Sequence, residues 1–261
     1  FTDDKIARAL IQSKERAVDV AVLIEATPYL HKDENTKIVN LLKQHNISVK
    51  YSNPKFFVTH QKTFVFDDAQ AWITTFNLTH SAFSSERNFA LVTNNKKIIS
   101  ELNRLFQTDW QRQTFTAGKT KLVISPNNSR KKLANFVNNC NHKLYMYISG
   151  LTDLEMMKVI SKDKRSTKIL FSSTYPSASK KTIQWLCRKG MQIHQLNGLT
   201  EHAKVIISDT NKAYLGSINL TRTSLDDNRE VEIITEEKSS VATLLNIFNY
   251  DWNNYSTSLC I

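Results

Sequence analysis

Apolar and polar positions alternate along the chain between helix-like and strand-like spacing. Residues 2–16 combine a capping-type start with apolar residues at helical spacing, and residues 34–46 show the same spacing. Apolar runs of strand length follow at 18–24 and 47–51, and we expect the first of them to be a buried strand. This alternation is typical of an α/β sheet covered by helices.

The chain contains an internal duplication. Residues 59–79, THQKTFVFDDAQAWITTFNLT, align without gaps to residues 201–221, EHAKVIISDTNKAYLGSINLT, at a constant offset of 142. The same offset relates Trp110 to Trp252 near the ends of the two copies. A long ungapped register of this kind predicts two homologous halves, which we place at 1–116 and 117–261.

The two halves begin differently. The second opens with a strand at 121–125, a helix near 128–140 and a strand at 143–149, whereas the first starts directly at Phe1. Measured against the second half, the first lacks roughly 30 residues. A sheet cut there would expose an unpaired edge, so we expect the natural protein to extend beyond Phe1. A signal peptide cannot be assessed from this chain, and the cellular compartment stays open.

The composition is that of an ordinary globular protein, and the net charge and the cysteines add limited information about its partners and chemistry. The 261 residues are 41% hydrophobic, and no apolar run is long enough to cross a bilayer. The net charge of +11 favours polyanionic partners, either nucleic acid or an anionic membrane surface. Cys140, Cys187 and Cys260 are odd in number and far apart, so we predict free or buried thiols and neither a disulfide framework nor a metal site.

Each copy of the duplicated segment carries polar groups that suit phosphate. A histidine and a lysine two residues apart project from the same face of a strand, and an asparagine follows the next strand. These residues are His60, Lys62 and Asn77 in the first copy, and His202, Lys204 and Asn219 in the second. If the copies face one another, these groups can hold the phosphate of a phosphodiester. Asp67 and Asp209 face the other way on a regular strand, so we interpret them as structural.

These motifs resemble the HxKxxxxDxxxxxxGSxN signature of the phospholipase D superfamily. The second copy matches it fully, at His202, Lys204, Asp209, Gly216, Ser217 and Asn219. The first copy has Thr74 and Thr75 in place of glycine and serine. The resemblance extends over nearly the whole chain and is strongest to compact bacterial members, which are grouped with phospholipases, cardiolipin-synthase-like proteins and nucleases.

The resemblance implies a phosphodiesterase that needs neither metal nor cofactor. One histidine would attack phosphorus to form a phosphohistidine, and the other would protonate the leaving oxygen and then activate water. The lysines and asparagines would hold the non-bridging oxygens, and we add Ser217 and Thr75 as substrate-binding residues. The implied architecture is a monomer of two α/β halves, each a mixed sheet flanked by helices, related by a pseudo-twofold with the active site at their interface.

The family also places a carboxylate after each motif to orient the imidazole. Glu230 fits this role for His202, while the matching position in the first half is Asn88, with Glu86 two residues earlier. An ionised Glu230 would favour a protonated His202, whereas Asn88 would orient His60 without stabilising a charge. On this ground we predict His60 as the nucleophile and His202 as the general acid.

Three functions remain open at this point. Phospholipase D-type hydrolysis of phospholipids is slightly favoured, an endonuclease using the same site is the alternative, and a catalytically inactive phosphate-binding scaffold is disfavoured because both motifs are intact. Arg87 and Arg229 fit a structural ion pair better than a substrate clamp. For Phe56, Phe57 and Trp185, packing or ordinary exposure is favoured over substrate contact.

Overall fold

The computed structural model describes residues 1–28, 35–162, 165–172 and 178–260. The helices are α1 Asp4–Glu15, α2 Thr36–Gln44, α3 His80–Ser84, α4 Lys96–Trp110, α5 Ser129–Asn138, α6 Leu154–Ile160, α7 Ala178–Arg188 and α8 Lys238–Asn254. The strands are β1 Ala21–Ile24, β2 Ser48–Tyr51, β3 Thr63–Phe66, β4 Gln70–Thr74, β5 Glu86–Arg87, β6 Ala90–Thr93, β7 Leu122–Ser125, β8 Lys143–Ile148, β9 Ser166–Phe171, β10 Gln192–Leu196, β11 Thr200–Glu201, β12 Val205–Ser208, β13 Lys212–Gly216, β14 Glu230–Thr235 and β15 Ser256–Ser258. A π-helical turn at Thr223–Asp227 precedes β14.

The second half is built on one large mixed sheet. Its strands run in the order β15-β10-β9-β8-β12-β13-β14-β7, with β8, β9 and β10 parallel to one another and all other pairs antiparallel. Every residue of β7 and β12 is buried. Continuous burial of this kind arises because both faces of the sheet are covered, in agreement with the apolar runs in the sequence.

The first half divides the corresponding strands between two smaller sheets. β3, β4 and β6 form one sheet, and β1 pairs with β2 in another. The prediction of a buried strand at 18–24 is therefore wrong in part. β1 is shorter, and only Ile24 within it is buried. Among the described residues β1 pairs with β2 alone; Ala21 is exposed, and Val22 and Leu23 are half-buried.

The two halves share a hydrophobic core. Ile73 and Leu105 of the first half pack with Ile124 and Ile233 of the second, and Phe115, which lies between the halves, is buried in the same cluster. Symmetric backbone contacts flank this core. Thr59 bridges to Arg229, and β11 pairs with β5 so that Glu201 lies opposite Arg87. The protein is thus a mixed α/β fold of two related halves. Within the described residues, no helix is both long and apolar enough to cross a membrane.

A disulfide bond corrects the prediction of unpaired thiols. Cys187 and Cys260 are bonded, with their Cα atoms 5.5 Å apart, and Cys140 is a buried free thiol. The bond links α7 to the segment that follows β15. The sequence could not indicate this pairing because 73 residues separate the two cysteines, and only the sheet order brings them together.

Packing explains why the first copy has Thr74 where the second copy has Gly216. Gly216 lies opposite Glu232 on β14, and Thr74 lies opposite Ala90 at the matching place in the first half. A Cβ atom on Gly216 would overlap the carbonyl oxygen of Val231 and the Glu232 side chain, and would lie 2.7 Å from the Glu232 Cα. The glycine is therefore paired with a large buried neighbour, while the threonine is paired with a small one.

Replacing Gly216 with alanine should lower the free energy of unfolding by about 3 kcal/mol, because an added methyl group overpacks a closed site. Gly150→Ala is the matched control, since its Cβ would meet Asn219 at an ordinary 3.4 Å. Adding Glu232→Ala should not restore stability fully, because the Val231 carbonyl oxygen still obstructs the methyl group. Urea unfolding gives the free energy of unfolding of Gly216→Ala, Gly150→Ala and the double variant. Equal stability of the two single glycine variants would contradict this packing account.

Candidate active site

Each candidate histidine is held by backbone of the opposite half. The N–H of His60 donates to the carbonyl oxygen of Arg229 at 2.9 Å, and the N–H of His202 donates to that of Arg87 at 3.3 Å. Both histidines stand just before the hairpins predicted from the sequence, which are formed by β3 with β4 and by β12 with β13. The interface between the halves therefore positions both imidazoles.

The His60 imidazole bonds to a carboxylate from the second half. Its Nδ1 lies 2.8 Å from Oε2 of Glu230, which is fully buried. The other oxygen of Glu230 accepts hydrogen bonds from Ser224 Oγ at 2.9 Å and from Asn228 Nδ2 at 3.0 Å. The predicted pairing of Glu230 with His202 is therefore wrong. A carboxylate that follows one motif orients the histidine of the other, because the halves face each other across the pseudo-twofold.

The His202 imidazole bonds to an amide from the first half. Its Nδ1 lies 3.2 Å from Oδ1 of Asn88 and 3.6 Å from a carboxylate oxygen of Glu86. Asn88 is held in turn, since its Nδ2 donates to Glu86 at 2.9 Å and its Oδ1 accepts from Thr75 Oγ1 at 2.9 Å. Asn88 and Glu86 do orient a histidine, but it is His202 and not His60. Glutamate and asparagine exchange places between the half-sites.

The two imidazoles lie in one site together with both motif lysines. Burial lowers the pKa of His202, and Lys204, Lys62 and His60 lower it further. Burial also lowers the pKa of His60, helped by Lys62 and Lys204, while Glu230 acts in the opposite direction. The pKa of Glu230 is lowered overall, because His60 and Lys62 outweigh the effect of burial. Glu230 is therefore ionised, and both imidazoles favour their neutral forms.

The two lysines lie in the floor of the site. Lys62 Nζ donates to the carbonyl oxygen of His60, and Lys204 Nζ donates to that of His202 at 2.6 Å. Both side chains are buried. Burial lowers the pKa of Lys62 to about 7, with Lys204 adding to the effect. The pKa of Lys204 is also lowered, again mainly by burial.

Two buried carboxyls beside Lys204 were not predicted. Glu201 accepts from Ser149 Oγ at 3.2 Å, and burial raises its pKa to about 8. Glu232 accepts the N–H of Ile218 at 2.8 Å, and burial raises its pKa well above the usual range. The matching positions in the first half are Thr59 and Ala90. Comparing the two copies at the 142-residue offset would have revealed both differences.

The two asparagines differ in their surroundings. Asn219 is half-buried and lines a small cleft with Lys204 and Ser149. Its Oδ1 is buried and accepts no hydrogen bond from the described residues. Asn77 is exposed. The structure thus brings Asn219 together with Lys204, and leaves the role of Asn77 a prediction.

The hydroxyls of Ser217 and Thr75 are not placed to meet substrate. Both residues are fully buried. Ser217 Oγ accepts from the N–H of Val231 at 3.1 Å, and Thr75 Oγ1 accepts from that of Phe89 at 2.9 Å. The prediction of substrate contact is corrected. These hydroxyls tie the strand that ends in the motif to its neighbour, and Thr75 also positions Asn88.

The two motif aspartates lie away from the site, as expected for structural residues. The Asp209 carboxylate accepts the backbone N–H groups of Asn141, His142 and Lys143 at 2.7 to 2.9 Å. The pKa of Asp209 falls to about 2, because these hydrogen bonds outweigh burial. Asp67 occupies the corresponding hairpin turn, with φ of 52° against 49° for Asp209.

The arginines that follow the motifs form ion pairs between the halves. Arg87 makes two 2.7 Å hydrogen bonds to Asp251, and Arg229, only 1% exposed, bonds to Asp109 at 3.0 Å. The structural interpretation of both is thereby confirmed. Phe56 is buried against Arg229, with the guanidinium 4.1 Å from the ring centroid, while Phe57 is 61% exposed.

Across the part of the chain that the structure describes, no group of three or more histidine, cysteine, aspartate and glutamate side chains has a geometry that would hold a metal ion. The charged groups that surround the two imidazoles are instead lysines and single carboxylates.

A family model described as "Cardiolipin synthase, PLD-like domain" matches residues 1–110 and 133–252. The chain belongs to the phospholipase D superfamily. Membership supports chemistry at phosphodiester or phosphoryl groups. A search of curated proteins found no match.

Two solved structures share the fold of this chain at low sequence identity. A polyphosphate kinase from Porphyromonas gingivalis aligns over 97% of this chain, with a TM-score of 0.75 and 15% identity. The chain spans only 42% of that enzyme. A phosphatidylserine synthase from Haemophilus influenzae aligns over 98% of this chain and 78% of its own, with a TM-score of 0.72 and 11% identity.

A smaller relative corresponds to about one half of this chain. Nuc from Salmonella typhimurium, described as a phospholipase D family member, aligns over 52% of this chain and 95% of its own length. The TM-score is 0.50 and the identity is 19%. A superfamily member about the size of one half agrees with the duplication seen in the sequence.

Replacing Glu230 with glutamine should lower the pKa of His60 further, because the change removes the negative charge that favours the imidazolium form. NMR titration of the imidazole nitrogens measures the pKa of His60 in each variant. Glu86→Gln is the matched control and should leave His60 unchanged, since Glu86 faces His202. A Glu230→Gln effect confined to His202 would contradict the crossed arrangement.

Proposed function

We propose that the chain is a phosphodiesterase that acts on phospholipids through a covalent phosphohistidine, without a metal ion or other cofactor. The observation that carries the proposal is the pair of imidazoles, His60 and His202, each anchored at Nδ1 by a group from the opposite half, in one site that also contains Lys62 and Lys204. Anchoring at Nδ1 leaves Nε2 of each ring available for chemistry. Two such nitrogens meet the need for one nucleophile and one acid.

His60 is the proposed nucleophile, on a different ground from the one that the sequence suggested. An ionised Glu230 accepts a hydrogen bond from Nδ1–H of His60 at 2.8 Å, so the lone pair of the neutral ring is on Nε2. Once Nε2 is bonded to phosphorus while Nδ1 keeps its proton, the ring is cationic. Glu230 stabilises that charge directly, and therefore favours the intermediate.

His202 is the proposed general acid. Its direct partner, Asn88, is a neutral amide, and the Glu86 carboxylate lies farther away at 3.6 Å. A proton on this ring is held less strongly than one on a ring bonded to a carboxylate, so it is transferred more readily. The negative charge of the bound phosphodiester favours the imidazolium form of His202, which takes up a proton from solvent in the complex against the influence of the nearby lysines.

The proposed reaction proceeds in two displacements. The Nε2 lone pair of His60 forms a bond to phosphorus while the bond to the leaving oxygen breaks, and the His202 proton moves to that oxygen. His202, now neutral, takes a proton from water as the water oxygen attacks phosphorus and the P–N bond breaks. Lys62, Lys204 and Asn219 interact with the non-bridging oxygens, and Asn77 is expected to do the same.

Phospholipid is favoured as substrate by the family match and by apolar side chains near the motifs. The matched family description names cardiolipin synthase. Phe57, three residues before His60, and Phe83, which packs on Phe76 beside Asn77, are 61% and 56% exposed. They offer contact to the apolar part of a lipid. The net charge of +11 favours the second candidate, a nuclease, because a nucleic acid presents many phosphates.

Incubation in EDTA with labelled phosphatidyl lipids and, separately, with plasmid DNA tests the substrate. We expect release of the lipid head group, and a loss of at least about a hundredfold in His60→Ala and His202→Ala, as for removal of a nucleophile or a general acid. His45→Ala, at an exposed helix end, is the control and should remain active. Cleavage of DNA alone would overturn the lipid assignment, and cleavage of neither would support a phosphate-binding scaffold.

A phosphodiester with a p-nitrophenyl leaving group separates the two histidine roles, because nitrophenolate leaves without protonation. In the first turnover, His202→Ala should release nitrophenolate with much less loss of rate than it shows for an alkyl alcohol, where the acid contributes about 100-fold or more. Its second displacement should be slow with either ester, because His202 also activates the water. His60→Ala should be inactive on both. Phosphorus-labelled protein quenched in alkaline denaturant, which preserves a P–N bond, should carry its label on His60, and label on His202 would reverse the assignment.

A further inference from the structure

An apolar patch on the first half faces solvent. It consists of Phe64 and Phe66 on β3, Trp72 on β4 and Val92 on β6, and we name it the aromatic face. Phe64 lies opposite Trp72, which lies opposite Val92, and the Phe66 and Trp72 rings are 5.2 Å apart. Phe66, Trp72 and Val92 are 42%, 36% and 50% exposed. A cluster of large apolar side chains on one sheet face is a feature of binding surfaces.

The same face is covered in the second half. Ile206 and Tyr214, which match Phe64 and Trp72 at the 142-residue offset, are 3% and 1% exposed. Helix α5 covers them, and its Phe136 ring lies 5.8 Å from that of Tyr214. The duplication therefore shows what closes such a face in this fold, which is an amphipathic helix.

The sheet edges beside the aromatic face are also open. In the second half β12 pairs with β8 and β14 pairs with β7, and α5 joins β7 to β8 across the sheet. The corresponding edges of β3 and β6 have no strand partner among the described residues. Unpaired edges present backbone N–H and C=O groups that accept another strand.

A motif aspartate indicates the same missing contact. Asp209 binds three consecutive backbone N–H groups where the chain enters β8. Asp67 keeps the same residue type and the same left-handed turn, but it is exposed and accepts no hydrogen bond from the residues that the structure describes. It is placed to receive the N–H groups of a strand that begins beside β3.

The hydrophobic core of the first half is divided into two clusters, on either side of the gap between β1 and β3. In the second half, Leu144, Met146 and Ile148 of β8 join the residues around β9 to Ile206 and Tyr214 in one cluster. In the first half, the cluster of α1, α2, β1 and β2 is separate from the one beneath β4. A strand between β1 and β3 would connect the two.

We propose that the aromatic face and the open edges of β3 and β6 form one docking surface for a strand–helix–strand polypeptide segment of the kind formed by residues 122–148. Its helix would cover Trp72, its second strand would pair with β3, and the N–H groups at the start of that strand would bind Asp67. A lipid surface could cover aromatic side chains, but it offers no backbone donors to strand edges or to an aspartate. This combination selects a polypeptide occupant that adds strands to the sheet.

The test supplies such a segment from the chain itself. A copy of residues 119–150 is fused ahead of Phe1, where the geometry permits it: Thr2 and Asp3 donate to the Leu78 carbonyl oxygen as Thr152 and Asp153 donate to that of Leu220. We expect hydrogen exchange of the β3 amides to slow by about tenfold or more, and Trp72 emission to shift to shorter wavelength. The β12 amides report that the rest of the fold is intact.

The matched control carries aspartate at the copied positions of Leu133 and Phe136, and it should give neither effect. Asp67→Asn in the recipient chain should weaken the protection of β3. Unchanged β3 exchange in the fusion, with β12 still protected, would overturn the proposal. So would concentration-dependent self-association that Trp72→Lys abolishes and the fused segment does not reduce, because the occupant would then be a second copy.

Discussion

The crossed contacts between the halves are the constraint on which the site depends. Arg229 is fully buried, where it bonds to Asp109 of the first half and to the Ser125 carbonyl oxygen at 2.8 Å. Removing one member of such a buried pair leaves an uncompensated charge, so the arrangement is strongly specified. Arg229 fixes the chain immediately before Glu230 and also provides the carbonyl oxygen that binds His60. Neither half contains a complete site.

The pseudo-twofold is not exact, and the differences lie where the proposed chemistry needs them. Two imidazoles in identical surroundings would have the same pKa, and neither would be preferred as nucleophile or acid. The exchange of Glu230 for Asn88 gives one ring a buried carboxylate and the other a neutral amide. The pairing of Gly216 with Glu232, against Thr74 with Ala90, places a further carboxyl on one side only.

Much of the fold was predictable because the duplication allowed each half to check the other. Helices at 2–16 and near 128–140 appear as α1 and α5, and the hairpins of both motifs are present. The pairing of Glu230 with His202 was wrong because aligning two copies shows which residues correspond, and it does not show which residues face each other. Ser217 and Thr75 were misassigned for a related reason: a hydroxyl in a motif has no visible partner until the neighbouring strand is known.

The sequence by itself determined the duplication, the order of most elements, the two His-Lys-Asn sets and the structural role of Asp209, because spacing and register are local properties of the chain. Only the tertiary structure decided that each imidazole is anchored by the opposite half, that Cys187 bonds Cys260, that Glu201 and Glu232 lie buried beside Lys204, and that the face around Trp72 is open. These features depend on which surfaces meet in space. The disulfide and the His60–Glu230 contact join residues 73 and 170 positions apart, and contacts at such separations leave no periodic pattern in the chain.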